Sequence, residues 1–127
     1  MEFRDNKAIY LQIGDYVCEH ILLGKWKDEE KIPSVRELAV SLEVNPNTVM
    51  RTYELLQNKN ILINKRGIGF FIAEDAIKQI KLYRKVQFMD EELPVFFRNL
   101  YLLDIGFEEL ETRYKKFVNE TFTNPQV

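Results

Sequence analysis

Three features of the chain predict a mainly α protein with one small β-hairpin. Two short amphipathic helix patterns, opening at Ser34 and at Asn45, are separated only by the turn Glu43-Val44-Asn45. A β run, a basic tip carrying glycines and a second β run follow between Ile61 and Ile72. Beyond Ala73 the apolar residues recur with helical spacing alone. In that order the elements describe a winged helix-turn-helix domain over residues 1–74, followed by a short all-helical tail over residues 75–127.

A chain of 127 residues suits about one ordinary domain. With 46% hydrophobic and 30% charged residues it reads as globular and not as disordered. No apolar run approaches the roughly 18–20 residues of a membrane span, and the charged start MEFRDNKAIY lacks the apolar core of a signal peptide. One cysteine, Cys18, has no internal disulfide partner. These features point to the cytoplasm. The net charge is −2: residues 1–73 hold ten basic and ten acidic side chains, and the remainder eight and ten. Binding of a polyanion therefore has to rest on local placement of charge.

Taken in order, residues 1–8 are polar and expected to fray. Ile9, Ile13, Tyr16, Val17, His20, Ile21 and Leu22 form a helical stripe that Gly24 stops. Cys18 and His20 lie within it as core residues; one of each cannot supply a metal site or a nucleophile pair. Trp26 reads as a plug at the core edge, and Asp28-Glu29-Glu30-Lys31 as a solvated loop. Ser34 with Glu37 forms a capping box ahead of Val35, Leu38, Ala39 and Leu42. Asn45 caps the next helix and Pro46 suits its first position. Val49, Tyr53, Leu55 and Leu56 are expected inside; Asn47, Thr48, Met50, Arg51 and Glu54 lie on the exposed side. Ile61-Leu62-Ile63 and Phe70-Phe71-Ile72 are the strands around Asn64-Lys65-Arg66-Gly67-Ile68-Gly69. After a helix-turn-helix, such a hairpin reads as a wing that lays Lys65 and Arg66 against a phosphate backbone.

The tail opens near Glu74 or Asp75. A helix with Pro94 in its first turn is expected to end at Gly106 as a C-cap, and a last helix to run from Phe107 to Val118 ahead of the polar Thr123-Asn124-Pro125-Gln126. About 50 residues cannot readily bury the nine aromatics found here. Phe96, Phe97, Tyr101, Phe107, Tyr114 and Phe117 are therefore candidates for a homodimer interface.

The run Ile32-Pro33-Ser34-Val35-Arg36-Glu37-Leu38-Ala39 resembles the LPSxRELA signature of the GntR family of bacterial transcription regulators. Val44-Asn45-Pro46-Asn47-Thr48-Val49, Gly67-Ile68-Gly69-Phe70-Phe71-Ile72 and the upstream Tyr10-Leu11-Gln12-Ile13 resemble its other motifs. They fall in the family's order over residues 8–73, and the short helical tail is most similar to the YtrA subfamily. The resemblance implies that Arg36 contacts DNA, that Asn45, Asn47 and Thr48 open the recognition helix, and that the tip Arg66-Gly67-Ile68-Gly69 enters the minor groove. It also implies a tail that serves mainly for dimerisation. The chain departs from other subfamilies in lacking arginine near Pro46 and at Met50. Arg51 sits one residue on, about 100° round the helix, so Asn47 becomes the expected base reader. The usual Pro-Gly ahead of the first motif is replaced by Asp28-Glu29-Glu30-Lys31.

The expected function is sequence-specific binding of double-stranded DNA by a homodimeric transcriptional regulator, a repressor acting on a palindromic operator. Asn47 would pair with adenine, Ser34 and Thr48 would contact phosphate or a thymine methyl, and Arg36, Arg51, Lys65 and Arg66 would neutralise phosphates. The competing reading is a winged-helix protein–protein adaptor without DNA binding, which near-neutral charge permits. An enzyme is not expected: no paired carboxylates, phosphate loop, catalytic pair or metal-ligand spacing stands out, and Gly67-Ile68-Gly69 lies between strands, not before a helix. No cofactor, metal or membrane partner is expected, and a small-molecule effector is left open.

Overall fold

The computed structural model describes residues 3, 7–27 and 29–123. They pack as two compact units that meet between Lys85 and Val86. The first holds helices α1 (Ile9–Leu22), α2 (Val35–Leu42) and α3 (Pro46–Asn58), strands β1 (Leu62–Lys65) and β2 (Gly69–Ile72), and helix α4, which begins at Ala76 and runs to Gln87. The fold is mostly helical with a two-stranded antiparallel hairpin, a helix-turn-helix with its wing. The expected boundary at 74/75 falls before the start of α4, whereas Ala76 and Ile80 of that helix are completely buried in the first unit's core. Their stripe matches the surface of the preceding helices, a fit that spacing alone does not reveal.

Local chemistry sets the helix ends. The Ser34 hydroxyl accepts from Glu37 N–H at 3.0 Å, and Ser34 N–H donates to the Glu37 carboxylate at 2.8 Å, closing the capping box. Glu43 adopts a left-handed φ of 57° and ends α2. Two residues later the Asn45 side-chain oxygen accepts from Asn47 N–H at 2.8 Å and starts α3, with Pro46 at its first position.

Ile13, Val17 and Ile21 of α1 pack with Leu38 and Leu42 of α2 and with Val49, Tyr53 and Leu56 of α3. Leu55, expected inside, is only half-buried. Thr52 takes the buried place instead, because its hydroxyl has carbonyl partners at Tyr10 (2.7 Å) and Thr48 (3.2 Å). Tyr53 donates its hydroxyl to Pro33 O at 2.7 Å and sets its ring edge-on to Phe70, centroids 4.9 Å apart. Burial pushes the Cys18 thiol up to about 12, the state of an inert core thiol. His20 bonds Tyr16 O through Nδ1 at 2.9 Å and lies against the Tyr16 and Trp26 rings, so all three are structural.

β1 pairs with β2 from Leu62↔Ile72 to Lys65↔Gly69, so the strands reach further into the expected tip than their apolar residues do. The expected loop at Asp28–Lys31 requires correction. Glu29 N–H donates to Ile72 O at 3.2 Å, Ile72 N–H to Glu30 O at 3.1 Å, and Ile32 N–H to Phe70 O at 3.0 Å. Lys31 forms a bridge opposite Phe71. Three charged side chains face solvent while their backbone adds a third run to the hairpin. Asp28 lies outside the described residues, as do residues 1, 2, 4–6 and 124–127, on which the expectations of a frayed start and a polar end largely fall.

In the second unit a π-helical turn, Phe88–Glu92, precedes helix α5 (Leu93–Leu102), and helix α6 (Phe107–Val118) precedes another, Asn119–Thr123. Gly106 is not the C-cap expected. Asp104 takes the left-handed position after α5 at φ 55°, while Gly106 is extended and stands at the N-cap of α6. Among the described residues of this unit only Leu100 is buried.

Candidate nucleic-acid interface

The site begins at the N-terminus of α3. Asn47 and Thr48 occupy its second and third positions, and Arg51 lies one turn beyond Asn47 on the same face. Asn47 is exposed, and among the described residues no hydrogen bond occupies its carboxamide, which leaves a donor and an acceptor edge open. Thr48 is half-buried. Asn45 and Ser34 spend an acceptor on capping, so each is a structural residue first; the Asn45 amide N–H groups and the Ser34 hydroxyl proton remain as donors at the same surface.

Two other elements carry further cations. Arg36 is exposed in the first turn of α2. At the wing, Lys65 reaches over Phe71, its ammonium 4.2 Å from the ring centroid, and Arg66 opens the turn. Ile68 N–H closes that turn on Lys65 O at 2.8 Å, with Gly67 at φ 79°, the left-handed value a type II turn needs at its third residue. Gly69 has φ 141°, and a Cβ there would sit 2.9 Å from Cε of Lys31. Arg36, Arg51, Lys65 and Arg66 make no ion pair among the described residues, so their charge is available to a polyanion.

Two residues of this surface were not expected. Lys31 pairs opposite Phe71 and runs its stem past Gly69, which adds an exposed cation to the outer side of the wing. Only the backbone ladder of Glu29–Ile32 brings it there. Tyr10 of α1 lies beneath Arg51, whose guanidinium carbon is 3.8 Å from the ring centroid. The six aromatics expected at an interface are all exposed in the second unit, from 42% for Phe96 to 84% for Tyr101. Among the described residues no cluster of three metal-ligating side chains occurs, and no helix is long and apolar enough to cross a membrane.

Comparison with known proteins gives a consistent result. A family model described as "Bacterial regulatory proteins, gntR family" matches residues 9–72. The HTH-type transcriptional regulator YhcF of Bacillus subtilis is 36% identical over 116 residues, covering 91% of this chain and 94% of the relative. The HTH-type transcriptional repressor YtrA of the same organism is 34% identical, covering 89% of this chain and 86% of the relative. A GntR-family regulator from Bacteroides thetaiotaomicron has a solved structure that is 52% identical with a TM-score of 0.68, covering 89% of this chain and 98% of that one.

Proposed function

The chain belongs to the GntR family of bacterial regulatory proteins, and we propose that this DNA-binding transcriptional regulator, which is not an enzyme, works as a cytoplasmic homodimeric repressor on a palindromic operator. The observation that carries the reading is the open polar face at the start of α3, accompanied by exposed cations on α2 and the wing. α3 enters the major groove and presents Asn47 to an adenine, whose N6 and N7 edge matches one carboxamide donor and acceptor. Thr48 packs against a thymine methyl or donates to phosphate. Arg36, Arg51, Lys65 and Arg66 neutralise phosphates, Ser34 and Asn45 donate to the backbone from their caps, and Gly67 and Gly69 let the tip approach the minor groove.

The repressor reading leans on the relative named as a repressor. The dimer reading leans on the second unit, where Phe96, Phe97, Tyr101, Phe107, Tyr114 and Phe117 stand exposed. A single protomer leaves that surface wet, and a second copy related by a two-fold axis would cover it. The polar character of the α3 face disfavours an adaptor, which needs an apolar anchor there.

Selection of bound duplexes from a random pool tests the reading. The expected product is an inverted repeat. On that duplex, Arg36→Ala lowers affinity for all sequences alike. Asn47→Ala costs about 1–3 kcal/mol and relaxes preference at one base pair of each half-site. With four phosphates neutralised per subunit, log affinity falls with log salt at a slope near −7 for the dimer, at roughly −0.9 per phosphate. Normal binding by both variants would remove the contact assignment.

A further inference from the structure

We propose that Tyr10, on α1 and outside the helix-turn-helix, is a positioning residue for DNA binding, because it holds the Arg51 guanidinium ready for a phosphate. The inference rests on the reading of Arg51 as a phosphate contact.

Two independent ties join α3 to this one residue. The Arg51 guanidinium carbon lies 3.8 Å from the Tyr10 ring centroid, within stacking range. The next residue, the fully buried Thr52, donates its hydroxyl to the Tyr10 carbonyl at 2.7 Å. The first tie sets the side chain, and the second sets the backbone distance between the two helices. Gly14, one turn further along α1, faces the same residue: a Cβ there would meet the Thr52 methyl at 3.8 Å, an ordinary contact.

A free arginine on a helix surface samples many rotamers and loses that freedom when it docks on a phosphate. Stacking on a half-buried ring removes much of that freedom in advance. With its carbon 3.8 Å from the ring centroid the guanidinium rests against the ring, and the N–H donors not turned to the ring stay open to phosphate oxygens. Arg51 remains exposed and takes no carboxylate partner among the described residues, so the stack orients it without neutralising it. The departure from arginine at Met50 thereby acquires a physical counterpart: the cation has moved one residue round α3, to where α1 supplies a platform.

The test is a double-mutant cycle on the full chain, with the selected duplex as probe and thermal melting of each variant as a folding control. Tyr10→Phe keeps the ring and is expected to bind as the parent does. Tyr10→Leu keeps an apolar filler without the π face and is expected to weaken binding about three- to tenfold. In an Arg51→Ala background the same Tyr10→Leu change is expected to cost nothing further, an outcome that a general loosening of α1 would not produce. Additive losses would overturn the inference while leaving the Arg51 contact standing, as would Tyr10→Leu binding unchanged or more tightly. Unchanged binding by Arg51→Ala alone would remove the contact and the inference together.

Discussion

At the scale of single residues, capping and binding are superimposed. Ser34 and Asn45 each hold a helix N-terminus together and lie on the surface proposed to meet DNA. Glu37 makes this measurable without DNA. The backbone N–H and hydroxyl of Ser34 hold its carboxyl below the ordinary value of 4.5, because they bond the ionised form. A carboxyl with a lowered folded value contributes stability above its unfolded value and loses it as pH falls through the folded one. Wild type is therefore expected to lose melting temperature below about pH 4.5 more steeply than Ser34→Ala, whose curve starts lower and is flatter there. Parallel curves would show that the capping box contributes nothing in solution. Operator binding by Ser34→Ala and Asn45→Ala should accordingly be read against their own stability.

At the scale of elements, α3 is held near its middle by partners distant in sequence. Tyr53 donates to the carbonyl of Pro33, in the segment leading into α2. Tyr53→Phe leaves that carbonyl without a partner and is expected to cost about 1–3 kcal/mol in denaturant melts; no change would mean that water replaces the donor. The wing carries an analogous expectation. Lys65→Ala should weaken binding of all duplexes alike and make the salt slope shallower by roughly 0.9 per subunit, whereas an unchanged slope would leave Lys65 a bystander. The caps of α2 and α3 were legible from Ser34-x-x-Glu37 and Asn45-Pro46, because capping is chemistry between residues two or three apart. The run Glu29–Lys31 was not legible. Its ladder to β2 uses backbone atoms only, and its charged side chains carry no alternating pattern. Thr52 was missed for a related reason: a hydroxyl on a buried stripe reads as an interruption until the carbonyl of Tyr10 arrives to satisfy it. Gly106 fits either end of a helix on composition, and Asp104 had already supplied the left-handed residue. The proposed contacts Arg36, Asn47 and Arg66 come from family resemblance, and the structure shows them exposed; the platform under Arg51 depends on packing between α1 and α3 and could not be read from spacing.

At the scale of the whole molecule, the two units have opposite characters. The first buries a contiguous apolar core; the second leaves its aromatics exposed. Replacing Phe97 and Tyr101 together by glutamate is expected to give a monomer in sedimentation, with helical content kept and the salt slope about halved, since one subunit then neutralises half the phosphates. A dimer that survives the change would place its interface elsewhere. The third run of the hairpin bears on what such a protein can measure. Glu29–Ile32 is bonded to the wing, and the chain passes from it directly into the cap of α2 and Arg36. The second strand of the wing and the footing of α2 are thus tied like the arms of a caliper: one cannot swing from the other without breaking the backbone bonds at Phe70 and Ile72. Under the proposed reading, the separation between minor-groove and backbone contacts within a half-site would then be a constant of the protein, and tolerance for operators of different length would have to be found between protomers.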